Sequence, residues 1–315
     1  MTEIHLPVSL ERTVELLTPA ICDKSHPILV DATLGLAGHS FELLRRFPQL
    51  TIIGIDRDPA AIDLAKKKLE SFGSRVHIYR DTYDNLASIL DNFGTQYVDG
   101  ILLDLGVSSL QLDDLSRGFS YSSQANLDMR MDQSQELTAA KILATYSHSD
   151  LSRIFREYGE EKFATKIARE IVSVRQSAPI EDTSTLVDLI KRVIPAPARR
   201  VGGNPAKRTF QALRIEVNGE LKILDRALPI ALSRLAVGAR MVVLSFQSLE
   251  DKIVKRHFAQ VTQSRQLPGL PIELPGYDAE FALLFNGSEK ASQEEIRVNP
   301  RAKSVRIRAI KRVAA

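Results

Sequence analysis

The sequence predicts an α/β protein, a doubly wound and mostly parallel sheet with a helical segment inserted into it. Three observations carry that prediction. Apolar runs of strand length alternate with helix-period segments across residues 1–112. A glycine turn at Gly35 and Gly38 directly follows the first run. From about Asp113 to Arg208 nothing reads as a buried strand, and strand patterns return only at Arg240.

Ile28-Leu-Val30 is the first strand and runs into Asp31-Ala-Thr-Leu-Gly35-Leu-Ala-Gly38-His39-Ser40. Strand, tight turn and helix start form the geometry in which α/β proteins hold a nucleotide-like cofactor. The second strand, Thr51–Ile55, ends at Asp56, whose carboxylate can accept hydrogen bonds from both hydroxyls of a ribose. Asp58 caps a helix with Pro59 in its first position, Ile62, Ala65 and Leu69 on one face, and Gly73 at its close. Strands follow at Val76–Tyr79 and Ile101–Asp104, the latter bounded by Gly100 and Gly106.

Helices are expected at Ser149–Tyr158, Glu160–Arg175 and Thr183–Val193, the last stopped by Pro195 and Pro197. Strands resume at Arg240–Phe246, Phe281–Phe285 and Ser304–Ile310, with a Pro/Gly-rich loop at Gln266–Gly276. The last two close the sheet as an antiparallel pair. The expected domains are therefore 1–112 with 209–315, and a helical insertion at 113–208.

A chain of 315 residues, 44% hydrophobic and 26% charged, has the composition of a soluble globular protein. No apolar run approaches the roughly 20 residues of a membrane helix, and the N-terminus lacks a signal-peptide layout, so a cytoplasmic location is expected. One cysteine, Cys22, excludes an intrachain disulfide and a cysteine metal cage. No acidic spacing marks a metal site.

The net charge of +3 hides two islands without acids. One holds Lys191, Arg192, Arg199, Arg200, Lys207, Arg208 and Arg214; the other holds Arg297, Arg301, Lys303, Arg306, Arg308, Lys311 and Arg312. Either alone could be an ordinary solvated face. Beside a cofactor site the two favour a polyanionic substrate.

The turn chemistry favours S-adenosylmethionine over NAD as the cofactor. Gly35-Leu-Ala37-Gly38-His39-Ser40 departs from the dinucleotide pattern Gly-x-Gly-x-x-Gly, with alanine at the second glycine and serine at the third. A pyrophosphate needs that close backbone approach, whereas S-adenosylmethionine has no phosphate. No Gly-Lys-Ser/Thr follows, which excludes a P-loop. Asp104, in Leu102-Leu-Asp-Leu-Gly-Val-Ser-Ser109, ends the fourth strand beside the ligand crevice. It either caps the following turn or stands at the reacting centre. Three strand-end aspartates (Asp31, Asp56, Asp104) on one edge favour the second reading.

Blocks throughout the chain then show a family resemblance. They include His5-Leu-Pro-Val8, Gly38-His39-Ser40, Ile55-Asp-Arg-Asp-Pro59, Gly100-Ile-Leu-Leu-Asp-Leu-Gly-Val-Ser-Ser109 and Arg117-Gly-Phe-Ser120. Further on come Leu127-Asp-Met-Arg-Met-Asp132, Tyr158-Gly-Glu-Glu161, Arg208-Thr-Phe-Gln-Ala-Leu-Arg-Ile215, Ser248-Leu-Glu-Asp251 and Asn299-Pro-Arg-Ala302. In this order they strongly resemble the bacterial small-subunit ribosomal RNA methyltransferase H family, cytosine-N4 methyltransferases once called MraW.

The resemblance implies a class I S-adenosylmethionine-dependent methyltransferase fold with an inserted substrate-recognition domain. It implies methylation of the exocyclic N4 amine of a cytidine in the decoding region of 16S rRNA, within the small subunit or an assembly intermediate. The family's cofactor contacts fall on Ala37, Gly38, His39, Asp56, Tyr83, Asp104 and Gln111, with Tyr83 where an aromatic packs near adenine. Ala37 replaces the usual glycine, a change expected to be tolerated if φ stays negative. Gln247 replaces the usual histidine, which weakens a base role there.

An exocyclic amine needs orientation and a proton acceptor, not the cysteine nucleophile used at cytosine carbon 5. Asp104 is the candidate to orient the amine, or the methionine amino group of the donor. The Pro-Pro-aromatic motif of many amine methyltransferases is missing after it, so Phe119, Tyr121 or Phe210 would stack the base. His39, at a helix start, reads as packing or cofactor contact before it reads as a base. Arg130 reads either as part of a half-buried loop or as a contact to phosphate or a base edge. Arg208, Thr209, Phe210 and Gln211 combine cation, aromatic and amide as an RNA-gripping group does. The alternative function is a non-catalytic RNA-binding or ribosome-assembly protein that retains the fold; intact Gly38, Asp56 and Asp104 speak against it.

Overall fold

A computed structural model describes residues 6–199, 204–264 and 278–314. His5, Arg200 and the expected loop Gln266–Gly276 lie outside the described residues. The chain divides into two compact units, Met1–Gly106 with Leu221–Ala315, and Val107–Glu220. The expected boundaries at 112 and 208 lie inside that division.

The first unit opens with α1 (Leu10–Ile21), an element the sequence reading passed over. Prolines at 7, 19 and 27 obscure its period, yet Val14, Leu17 and Ile21 share one buried face. Pro19 lies inside this helix and contributes no N–H to its ladder. Then come β1 (Ile28–Asp31), α2 (Gly38–Arg46), β2 (Thr51–Asp56), α3 (Pro59–Leu69), β3 (Val76–Arg80), α4 (Leu86–Phe93) and β4 (Val98–Asp104). Asp58 caps α3 by accepting from Ala60 N at 3.1 Å, as its sequence requires. Leu29, Val30, Ile52, Ile53, Ile55, Ile101 and Leu102 are all fully buried. Continuous burial of this kind marks parallel strands covered on both faces, each such side chain contributing about 1.5–3 kcal/mol.

The helical unit contains α5 (Ser109–Asp113), α6 (Ala139–Thr145), α7 (His148–Glu157), α8 (Ala164–Val174), α9 (Thr183–Val193), α10 (Ala196–Arg199) and α11 (Lys207–Asn218). Thr138, Ser147 and Asp182 cap α6, α7 and α9. Phe155, Ile167, Ile171, Leu186, Ile190 and Leu213 form its sealed core. Among its described residues the only β pairing is the isolated bridge Asn126–Asp182. The sequence expectation gave α11 to the sheet domain from residue 209 onward. It packs instead on α7 and α6, because Phe210, Leu213 and Val217 repeat at helical spacing and bury in this core.

The chain then returns to the sheet with α12 (Glu220–Ser233), β5 (Leu235–Ser245), α13 (Ser248–Val261), β6 (Phe281–Leu283), α14 (Gln293–Val298) and β7 (Arg306–Arg312). The strand order is β3-β2-β1-β4-β5-β7-β6. All pairs are parallel except those of β7 with β5 and with β6. This is the doubly wound sheet that the sequence predicts, closed by an antiparallel C-terminal strand. The order reverses between β1 and β4, so the carboxyl ends of β1, β2 and β4 flank the ligand crevice of such a fold.

Candidate active site

Gly35 turns the chain out of β1 at φ +50°, and its N–H donates to Asp56 Oδ2 at 2.7 Å. Asp56 Oδ1 accepts from Asp58 N at 2.9 Å, so two amides orient this carboxylate at the end of β2. Burial raises its pKa, and the two amides pull it back. Ala37 stands at φ 56°, ψ 36°. The expectation of a negative φ is therefore corrected: the turn requires a left-handed residue to launch α2, and alanine accepts about 1–2 kcal/mol of strain there. Gly38 is needed for space, since a Cβ would lie 2.3 Å from Pro7 Cγ.

The three strand-end aspartates differ. Asp31 is sealed at 2% exposure, its Oδ2 accepting from Ser40 Oγ at 2.6 Å, and burial pushes it up to about 6. Asp56 is tied to the backbone. Asp104 keeps 27% of its side-chain surface while its Oδ1 is buried without a hydrogen-bond partner. Desolvation, then the charges of Asp31 and Glu250, push it up to about 8.

His39 covers Asp104. Its Nδ1 is 3.6 Å from Asp104 Oδ2, and its Nε2 lies 3.1 Å from Val8 O. A carbonyl only accepts, so Nε2 carries the proton and Nδ1 faces the carboxyl. Burial holds the ring down at about 4, so it is neutral. Two participants were missed by the sequence reading. Thr33 Oγ1 accepts from Asp104 N at 2.6 Å, joining the ends of β1 and β4. Glu250 supplies negative charge while accepting from Phe246 N and Gln247 N at 2.8 and 3.2 Å. Its place three residues into α13 was the available signal.

Tyr83 follows β3 in a single 3-10 turn and is half-buried against the sheet core. Gln111 belongs to the helical unit, where its Oε1 accepts from Ser108 N at 3.0 Å in a capping box. Cys22 is exposed at the end of α1, in the approach to the amino end of β1.

In the helical unit the structure separates the RNA candidates. Phe210 is 3% exposed and meets Tyr121 edge to face at 5.8 Å. Phe119 and Thr209 are buried as well, so Phe210 and Phe119 are core residues and not stacking platforms; Tyr121 keeps some surface. Gln211 Nε2 donates to Tyr158 O at 2.8 Å. Arg130 grips Asp128 with two bonds of 2.8 and 2.7 Å and donates to Gln133 O and Gln135 O. Its guanidinium holds its own loop. Arg208, beside Lys207, is exposed in the first turn of α11, whereas Arg214 is paired with Glu220.

In the second basic island, Arg306 and Arg308 bind Asp251, and Arg312 donates to Leu235 O. Part of that island is therefore internal structure.

Comparisons with known proteins agree with this geometry. A protein named ribosomal RNA small subunit methyltransferase H from Mycolicibacterium smegmatis is 54% identical over 313 residues, 98% of this chain and 84% of that protein. Proteins of the same name from Saccharopolyspora erythraea and Leifsonia xyli are 54% and 53% identical. They cover 98% and 99% of this chain, and 93% and 96% of their own lengths. A family described as the MraW methylase family matches residues 2–313. With the sheet order, the turn out of β1 and the unpartnered carboxyl of β4 in one continuous match, the chain belongs to the MraW methylase family.

Proposed function

We propose that the chain methylates the exocyclic N4 amine of a cytidine in the decoding region of 16S rRNA, within the small ribosomal subunit or an assembly intermediate. The names of its relatives support small-subunit RNA as the substrate. The observation that carries the chemistry is Asp104: a partly open carboxyl with one buried, unpartnered oxygen at the end of β4. Such an oxygen seeks an N–H donor.

S-adenosylmethionine, when bound, supplies an electrophilic methyl group on a sulfonium. The residues suit it: the turn out of β1 presents Ala37 and Gly38 with little side chain, Asp56 suits ribose hydroxyls, and Asp104 suits an ammonium. We assign Ala37, Gly38, His39, Asp56, Tyr83, Asp104 and Gln111 as its contacts. A nearby cation favours the ionised form of Asp104.

The lone pair of a cytosine amine is conjugated with the ring, so the protein must hold the amine out of that conjugation. Asp104 can hold an amine proton at Oδ1 and receive it as the new bond forms. Methylation at ring carbon 5 would need a cysteine nucleophile, and the sole cysteine, Cys22, precedes the opposite end of β1. His39 is neutral and bound to Val8 O, which suits positioning and not proton transfer.

In the helical unit, Lys207 and Arg208 work against the helix dipole at the start of α11. That placement adds nothing to the helix and suits RNA phosphate. Arg130 and Gln211 act through the loop and helix they brace, and Tyr121 is the aromatic left for stacking. Mass mapping of methylated nucleosides tests the reading in small-subunit RNA from cells without this protein. A single N4-methylated cytidine should vanish and return when the protein is restored; an unchanged map overturns the proposal.

A further inference from the structure

The crevice leaves unexplained Ser248, at the start of α13, and the block Asn299-Pro-Arg-Ala302. Between the start of α13 and the entry to β7 the sheet unit holds a half-open recess of about 270 Å³. Gln247, Ser248, Lys290, Lys303, Ser304 and Arg306 line it, and no carboxylate does. The acids in the first turn of α13 are engaged elsewhere. Glu250 accepts from the amides of Phe246 and Gln247, and Asp251 from Arg306 and Arg308. Lys290 and Lys303 are exposed and form no ion pair among the described residues. Arg306 gives one nitrogen to Asp251 and keeps 46% of its surface.

The recess also borders the reacting edge. Asp104 pairs with Leu244 in the sheet, and Phe246, two residues on, lines the recess. A Cβ on Gly106 would lie 3.8 Å from the Phe246 ring. The volume is below the roughly 300–1,000 Å³ of a pocket for a whole small ligand. It suits one group of a longer chain.

We infer that this recess seats a backbone phosphodiester of the RNA strand that carries the methylated nucleotide. Lys290, Lys303 and Arg306 supply charge, and Ser248 and Ser304 supply hydroxyl donors. A phosphate anchored there fixes the strand relative to Asp104 without reading its sequence. The inference rests on the proposed RNA substrate.

The test compares the wild type with the Lys290→Gln/Lys303→Gln double variant and a Lys67→Gln control that loses a charge on α3. The KM for unmethylated 30S subunits is measured across about 50–200 mM salt, with calorimetry for S-adenosylmethionine. The double variant should raise KM about tenfold and flatten the logarithmic salt dependence by about 0.7 per lost phosphate contact. Its Kd for S-adenosylmethionine should not change, and the control should move neither. Inorganic phosphate should raise the KM of the wild type and not of the double variant. Unchanged KM and salt slope in the double variant overturn the inference. Phosphate held by the recess without any change in KM for 30S subunits assigns a free-anion site and overturns it too. A wild type that methylates neither 30S subunits nor their assembly intermediates overturns the substrate reading and this inference together; one that uses either, with the variants unaffected on it, overturns this inference alone.

Discussion

The carboxyl edge of the sheet and the loop from Arg117 to Asp132 are both rich in charge, yet they treat it in opposite ways. In the loop, Arg117 donates to Arg130 O and Met131 O, Arg130 closes on Asp128, and Asp132 Oδ1 accepts from Ser134. Met129 is fully buried and takes a φ of 61° within this network. At the sheet edge, Asp104 has an oxygen with no partner and lies near two further carboxylates. Arg130, whose guanidinium is completed by its own loop, is scaffold. A charged group left incomplete at a crevice is available to a ligand.

Asp104→Asn tests that contrast most severely. Transfer should fall by about 10²–10⁴-fold, the range for a lost positioned acid–base group, while the melting temperature holds or rises as repulsion is removed. Near wild-type turnover would end the assignment. Phe210→Ala should instead act on folding, destabilising the helical unit by about 3–5 kcal/mol. Denaturant melts that match the wild type, with only RNA affinity changed, would return Phe210 to the base-stacking role.

Arg130→Gln should cost about 1–3 kcal/mol through lost loop hydrogen bonds and leave the salt slope of RNA binding unchanged. A shallower slope would mean that Arg130 meets phosphate.

The pH dependence sharpens the other side of the comparison. An ordinary aspartate titrates near 3.9, whereas Asp104 sits at about 8. Between these values the unfolded chain has lost a proton that the folded chain keeps. Stability should therefore fall as pH rises from about 4 to about 8, and then level. Asp31, at about 6, acts in the same direction over a narrower window. Affinity for the cationic donor should rise over the upper part of that range, as Asp104 becomes the carboxylate. Calorimetry and thermal melts across pH check both, and Asp104→Asn should remove the part above pH 6. The smallest effect is Ala37→Gly, which relieves a positive φ and should stabilise the fold by about 0.5–1 kcal/mol in melts.

The limits of reading the chain alone follow the same division. Asp58-Pro59 and Asp182 with the run to Val193 specify helix starts locally, and both helices form there. Helix α1 was passed over because its prolines mask an apolar period that only docking makes decisive. Strand β5 begins at Leu235, earlier than the expected Arg240, because pairing with β4 extends it across a register irregularity. Arg130 and Phe210 looked like binding groups because residue type does not reveal where a side chain's partners are.

The amino-acid order by itself determined the alternating strands and helices, the turn at Gly35–Gly38 and the placement of Asp31, Asp56 and Asp104 at strand ends. These follow from short-range periodicity, capping and backbone sterics, which act over a few residues. Only the tertiary structure decided that Asp31 is sealed, Asp56 tethered and Asp104 left with a bare oxygen, that His39 is neutral, and that Ala37 is left-handed. Burial, charge–charge repulsion and hydrogen-bond completion depend on neighbours brought in from Val8, Thr33 and Glu250, and such neighbours exist only once the chain has folded.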